Sequence, residues 1–414
     1  MRYNHISVAI PMLAEQGNVE ALLQNLQRQT FGDFEVYLCI NNPASWASSE
    51  EPSERAMYAD NQETLHFLEA TRTNYAFRIT VLDRQWTGKQ RGVGWARKAL
   101  FEAIAKQHDN NELIVSLDAD TAIDTDYLEK VLTAMNAHPD HSALGVPYYH
   151  PLGGDAATDR AMLRYELYMR HYHLMMLDIE ARLAASRGAQ SPAGIPFPYA
   201  FTALGSAMVF PLWAYRRVGG ITPLQGGEDF YLMQKFAKTG KVLQQCDAVV
   251  RPQGRLSSRV PFGTGPAIAG GLEAMELAYP LYPHEGFEAA RDTYALFPDL
   301  YEHDIETPMS PFLRQQLRTD DLWGPLRKNF RSRHLFVHAC AERADGLRIL
   351  QFLKQWRQQQ PSQRTAEEEL TLFCRQHAVA LPTDLSFRLS PIADLDALRD
   401  SLFAMEQNAI ARQH

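Results

Sequence analysis

The chain has 414 residues, of which 41 are basic and 49 acidic, giving a net charge of −8 with the histidines neutral. At about 150 residues per domain that length makes two or three domains with full cores. Apolar residues at 45%, with ordinary usage of Gly (24) and Pro (23), exclude collagen-like, low-complexity and wholly disordered chains. The acidic balance supplies no domain-wide positive field, which excludes nucleic acid as the main partner.

Cys39, Cys246, Cys340 and Cys374 lie far apart with no Cys-x-x-Cys pair. The first two sit in apolar strand-like runs and read as buried thiols, and the set implies a reducing compartment with no zinc. The opening MRYNHISVAIPM enters a short apolar run that ends at Pro11, so it is a first strand and not a signal peptide. The longest apolar run, residues 200–213, is interrupted by Thr202, Gly205, Ser206 and Pro211, far short of the roughly 20 residues that span a bilayer. A soluble, cytoplasmic protein without a transmembrane segment is expected, with peripheral membrane contact left open.

In chain order, residues 6–10 are strand-like, and Val19, Leu22, Leu23 and Leu26 follow at helical spacing behind Asn18 as N-cap. Residues 35–40 make a second strand. The polar, turn-rich stretch 43–62 reads as a surface loop before a short helix at 63–70, and residues 77–82 make a third strand. A helix over 93–104 and a fourth strand at 113–117 come next. Asp126 and Glu129 then resemble a capping box for a helix carrying Leu128, Val131, Leu132 and Met135. The alternation predicts an α/β domain with a mostly parallel sheet and flanking helices. Further on, a long helix over 156–186, a Gly- and Pro-rich loop, a helix over 228–238 stopped by Gly240 and a strand over 242–250 are expected. Beyond about 270 the chain is helical, so residues 1–270 are expected to form the catalytic domain and 271–414 a helical accessory region.

Asp118-Ala119-Asp120 follows the apolar run LIVSL directly. Two carboxylates at a strand's C-terminal end stand where open α/β sheets bind ligands, and hard oxygen donors there suit Mg²⁺ or Mn²⁺ on a diphosphate. Glu228-Asp229 opens a later helix behind Gly226 and Gly227. It is either a capping acid pair or a general base held by a glycine-flanked loop. Lys89, Arg91 and Arg97, with Gly92 and Gly94, surround another helix start and either anchor phosphate oxygens or form a solvated basic face. Arg255 and Arg259 lie in a loop suited to closing over a leaving diphosphate, or in an ordinary linker. The aromatic and histidine residues of the long helix read as core, and none of the 14 histidines has diagnostic metal spacing.

The order of these segments, IPMLAEQGN, LDAD, the small-residue run and VGGITPLQGGEDF, resembles the family-2 glycosyltransferases of the GT-A fold and inverting type, as a bacterial-looking soluble member. The resemblance covers roughly residues 5–260. It implies that Pro11 and Glu15 contact the nucleotide, that Asp118 and Asp120 bind the nucleotide-sugar diphosphate through a divalent metal, and that Asp229, or else Glu228, is the catalytic base. Asn41-Asn42 stands where the family usually carries an Asp pair at base and ribose, so Asn41 is placed at the substrate without implying a uridine nucleotide. The Gln-x-x-Arg-Trp motif of processive synthases is missing. The implied activity is metal-dependent, non-processive transfer of a sugar from a nucleotide-diphosphate donor to a hydroxyl on a glycan, lipid or small molecule. The alternatives are a nucleotidyltransferase that forms nucleotide sugars and a catalytically silent scaffold.

Overall fold

The structure, a computed structural model, describes residues 3–88, 90, 92–185, 195–254, 264–359 and 364–412. The chain divides into two compact units. Unit 1 comprises residues 1–158 and 201–269, and unit 2 comprises 159–200 and 270–414. This differs from a contiguous 1–270 domain in that residues 159–200 cluster with the C-terminal helices.

Unit 1 begins with β1 (Ile6–Met12), α1 (Gln16–Gln27), β2 (Phe34–Pro43), α2 (Pro52–Thr71), β3 (Arg78–Trp86), α3 (Val93–Gln107) and β4 (Leu113–Ser116). It continues with β5 (Thr121–Ile123), α4 (Tyr127–Ala137) and β6 (Ala143–Gly145). Helix α5 (Ala156–Ala185) leads into unit 2, and the chain returns for β7 (Met208–Pro211), α6 (Leu212–Arg217), α7 (Glu228–Thr239), β8 (Val242–Leu243), β9 (Val250–Pro252) and α8 (Thr264–Ala269). The main sheet has seven strands in the order β3-β2-β1-β4-β7-β6-β8, and β5 pairs with β9 in a second sheet. Strands β1 to β4 pair in parallel, and β7 runs antiparallel to both β4 and β6. This is the mostly parallel, helix-flanked sheet that the sequence implies. Val8, Ile10, Val36, Leu38, Ile114 and Val115 are fully buried, as expected for strands covered on both faces and therefore written as continuous apolar runs.

Several local expectations need correction. Residues 52–62, expected in a loop, form the first half of α2, because Pro52 starts the helix and only Asn61, Thr64 and Leu68 of α2 need face inward, two of them polar. A helix buried through so few apolar positions leaves almost no hydrophobic period to read. Helix α1 starts behind Glu15 rather than Asn18, and Asp126 makes no side-chain cap, so the capping box is absent there. The 242–250 strand is two short strands in different sheets. All four cysteines are free and buried. Among the described residues no helix is long and apolar enough to cross a membrane.

Unit 2 gathers most of α5 with α9 (Gly271–Ala278), α10 (His284–Ala295), α11 (Ser310–Leu317), α12 (Gly324–Asn329), α13 (Arg333–Arg343), α14 (Gly346–Gln359), α15 (Ala366–Gln376) and α16 (Ile392–Ala411). Its core holds charge. Arg170 donates from Nη1 to Glu406 at 2.5 Å and from Nε to Glu166 at 3.1 Å, and Arg399 donates to the second oxygen of Glu166 at 3.3 Å. His173 adds a 2.5 Å contact to the other oxygen of Glu406, and the Arg170 guanidinium lies 4.5 Å over the Phe403 ring. Burial pushes the Glu406 carboxyl up, but Arg170 and His173 outweigh it and hold the group below its ordinary value. Removing one member of such a network strands a buried charge. Glu406→Gln should therefore cost about 3–5 kcal/mol, read as a lower urea midpoint at neutral pH, and the difference from wild type should shrink as the pH falls through the depressed Glu406 pKa.

Candidate active site

The site is built where α3 and α7 meet the C-terminal end of β4. Two glycines allow the approach of α3. A Cβ on Gly94 would lie 2.3 Å from the Leu224 carbonyl oxygen, and a Cβ on Gly92, whose φ is +94°, would lie 3.0 Å from Gln225 Cα. The Gly94 amide donates to that same carbonyl at 3.2 Å. The first turn of α3 is thereby set against the loop that leads into α7, and Gly227, left-handed at φ 76°, turns the chain into that helix.

Arg97 is the joint. Its guanidinium is buried and donates from Nη2 to Asp118 Oδ1 at 2.6 Å and from Nη1 to Glu228 Oε1. A Cβ on Gly205 would lie 2.0 Å from Nη2, so only glycine leaves room for the guanidinium there. The Ser116 hydroxyl, donating to the Gly205 carbonyl at 2.8 Å, fixes that wall to β4. Asp118, Glu228 and Asp229 together hold Arg97 charged against the opposing effect of burial, with its pKa above the ordinary value. Arg97, read as anchoring phosphate or as part of a solvated basic face, is turned inward, and its fork ties Asp118 to Glu228.

The acids fall into different roles by exposure. Glu228 is 1% exposed and faces Arg97, whereas Asp118, Asp120 and Asp229 are partly exposed. Burial first, and the neighbouring Glu228 second, push the Asp229 carboxyl from 3.8 up to about 7, against the pull of Arg97 and the 2.7 Å hydrogen bond it accepts from the Phe230 amide. A tight turn, closed by the Thr121 amide on the Asp118 carbonyl at 3.1 Å, carries Asp118 and Asp120 off the strand.

The remaining candidates are spread along the same edge of the sheet. Pro11 lies at the end of β1, partly exposed. Glu15 is buried at the start of α1 and accepts from Asn18 Nδ2 at 2.7 Å. Asn41, at the end of β2, is buried, and its Oδ1 has no hydrogen-bond partner among the described residues. Asn42 beside it bonds Asn61 at 2.6 Å and Asp83 at 3.4 Å. Asp83 and Asn61 escaped the sequence reading because β3 was expected to end at residue 82 and Asn61 to lie in a loop. Lys89, Arg91, Arg255 and Arg259 lie outside the described residues. Arg251, just before the last pair, is committed to Asp124 at 2.8 Å.

Removing Arg97 would leave Glu228 buried without its cation. Arg97→Met should cost about 3–5 kcal/mol in a thermal or urea melt, and Arg97→Lys should not restore the wild-type value, since a single ammonium nitrogen cannot occupy both positions from which Nη1 and Nη2 reach the carboxylates. Gly205→Ala, which crowds the guanidinium, should reproduce part of that loss.

Residues 4–193 match the family model described as Glycosyltransferase like family 2. No curated protein sequence matches the chain. Among solved structures, TarS 1-349 from S. aureus in complex with UDP-GlcNAc is 13% identical with a TM-score of 0.42, over 88% of this chain and 93% of that one. The mannosyltransferase PcManGT from Pyrobaculum calidifontis, in complex with GDP-Man and Mn²⁺, is 14% identical with a TM-score of 0.37, over 99% and 88%. The matched segment, residues 4–193, carries Glu15, Arg97, Asp118 and Asp120, and over it the chain is similar to the family-2 glycosyltransferases.

Proposed function

We propose that the chain transfers a sugar from a nucleotide-diphosphate donor to a hydroxyl acceptor, one transfer at a time and with inversion at the anomeric carbon. The observation that carries this reading is the pairing, through Arg97, of the strand-end carboxylate Asp118 with the helix that presents Asp229, a partly exposed carboxyl whose pKa near 7 suits a base at neutral pH.

The donor set at the end of β4 fits a hard divalent cation. Asp118 and Asp120 offer carboxylate oxygens, and among the described residues Asp118, Asp120, Glu228 and Asp229 outnumber the buried cation Arg97. Two protein ligands leave coordination positions for water and diphosphate oxygens, as Mg²⁺ and Mn²⁺ sites commonly do. Bound there, the cation would act as a Lewis acid for the departing diphosphate.

The protein's own groups do the rest. The acceptor oxygen attacks the anomeric carbon as its proton passes to a carboxylate oxygen of Asp229. The carbon–oxygen bond to the diphosphate breaks, and its electron pair leaves on the phosphate oxygen. Glu228 is enclosed against Arg97 and serves to hold that guanidinium rather than to take the proton. We assign Pro11, Glu15 and Asn41 to the nucleotide, on their position at the C-terminal ends of β1 and β2 and the start of α1, at the ligand-binding edge of the sheet. Lys89, Arg91, Arg255 and Arg259 complete the proposal as groups that offset leaving-group charge.

Three outcomes test it. In a thermal-shift panel of UDP, GDP, CDP and dTDP with and without Mn²⁺, one nucleotide should raise the melting temperature in a metal-dependent way, and Asp120→Ala should abolish that dependence. Asp229→Asn should retain the shift and lower turnover by on the order of 10²-fold, whereas an inert Glu228→Gln variant beside an active Asp229→Asn would move the base by one residue.

The third outcome concerns pH. Because Asp229 acts deprotonated, kcat/KM of the wild type should rise as pH climbs through about 7. Its folded pKa lies above the ordinary 3.8, so the fold loses stability between about 4 and 7 as the group ionises, and the full cost stands above 7. Asp229→Asn, which keeps an acceptor for the Phe230 amide, should therefore melt higher than wild type at pH 8, with little difference near pH 4.

A further inference from the structure

At the opposite end of the sheet from Asp118, four segments bring two histidines and two glutamates together. His5 precedes β1, Glu35 lies in β2, His108 ends α3 and Glu112 precedes β4. His5 Nδ1 lies 2.9 and 3.0 Å from the two oxygens of Glu112, and His108 Nδ1 lies 3.3 Å from Glu112 Oε2. The ligand atoms of these three residues all lie within 4.8 Å of one another. The two imidazoles are stacked, with centroids 5.5 Å apart and planes 17° from parallel.

We propose that His5, His108 and Glu112 form a binding site for a divalent cation of borderline softness, of which Zn²⁺ is the type. Three arguments carry it. First, two imidazole nitrogens and one carboxylate, converging from separate segments, are the donor set that suits Zn²⁺ rather than Mg²⁺ or Ca²⁺, with water for the remaining position. Second, the outer groups are those a metal site needs. Glu35 Oε1 lies 2.5 Å from His108 Nε2, which leaves Nδ1 as the nitrogen that faces the ion, and Glu35 is itself held by the Tyr37 hydroxyl at 3.0 Å. The Ser7 hydroxyl donates to Glu112 Oε1 at 2.5 Å and orients the carboxylate. Third, Glu35 and Glu112 are buried while the His5 and His108 side chains keep 28% and 20% exposure, so the two carboxylates are enclosed and the imidazoles stand at an opening to solvent.

The site is distinct from Asp118 and Asp120. Glu112 and Asp118 stand at opposite ends of β4, about 20 Å apart at ~3.3 Å per residue. The ion would tie the last turn of α3 to the starts of β1 and β4. The cysteines gave no sign of zinc, and these ligands carry no spacing motif because the turn after α3 and the parallel pairing of β1 with β4 bring them together.

The test uses the full chain carrying Asp118→Asn and Asp120→Asn, so that the other proposed cation site is silent. The protein is stripped with chelator and desalted, then titrated with ZnCl₂ and, separately, CoCl₂. The expected result is uptake of one ion per chain, a higher melting temperature and visible Co²⁺ d–d bands from imidazole ligation. Glu35→Gln should weaken Zn²⁺ binding by roughly 10–100-fold, as loss of an outer partner does, and His5→Ala or His108→Ala should remove the Co²⁺ bands. Absence of Zn²⁺ uptake in the stripped protein would overturn the proposal without any histidine variant. So would Zn²⁺ binding in folded His5→Ala and His108→Ala proteins that equals the parent's.

Discussion

Unit 1 is organised around one buried guanidinium. Arg97 sits between a carboxylate at the end of β4 and another at the start of α7, segments about 110 residues apart in sequence. Burying an arginine is costly unless its directed donors meet charged acceptors; here Nη1 and Nη2 do, while Nε has no hydrogen-bond partner among the described residues. The same requirement fixes Gly205, whose missing side chain is the space the guanidinium occupies, and Gly94, whose missing side chain lets α3 reach the 224 loop. A change at either glycine acts on the acids by moving the cation between them.

That arrangement explains why neighbouring acids differ so much. Glu228 lies against Arg97, whereas Asp229, one residue along, accepts from the Phe230 amide and is raised to about 7 by burial first and by Glu228 second. Had Arg97 faced Asp229 instead, that carboxyl would be held down and would make a poor base at neutral pH. The fold therefore keeps a destabilising carboxylate next to a paired one, which is the usual relation between strain and activity at functional sites. Unit 2 uses buried arginines without such a surplus: Arg170 and Arg399 are matched by Glu166 and Glu406, and Glu406 is held below its ordinary pKa rather than above it.

What the sequence disclosed follows the same physics. Strands β1, β2 and β4 are buried on both faces and so appear as unbroken apolar runs, and the acids that follow β4 are conspicuous for interrupting one. The pairing of Arg97 with Asp118 and Glu228 left no such trace, because contact between residues 21 and 131 positions apart depends on where α3 lies over the sheet. Basic residues near glycines and a helix start were read as a phosphate cradle, and nothing local distinguishes that from a cation turned inward. The first half of α2 was missed for a related reason: Asn61 is buried to hold Asn42 and the Ala14 amide, so a position that is structurally inward is written in a polar residue.

Helix α3 links the two ends of the sheet. It carries Arg97 near its start and is followed by His108, 11 residues later, a span of about 16 Å at 1.5 Å per residue. Its N-terminal end is fixed by ion pairs to Glu228 and to Asp118, the latter also proposed to hold a substrate's cation, and its C-terminal end lies against Glu112 and Glu35. An element fixed at both ends by charge, and packed on β1 and β2 between them, has little freedom to shift along its axis. The Arg97 fork must match two carboxylates at once, so even a small axial shift would break one of its bonds. The base of the sheet therefore bears on the site without touching it, by holding the helix that carries Arg97.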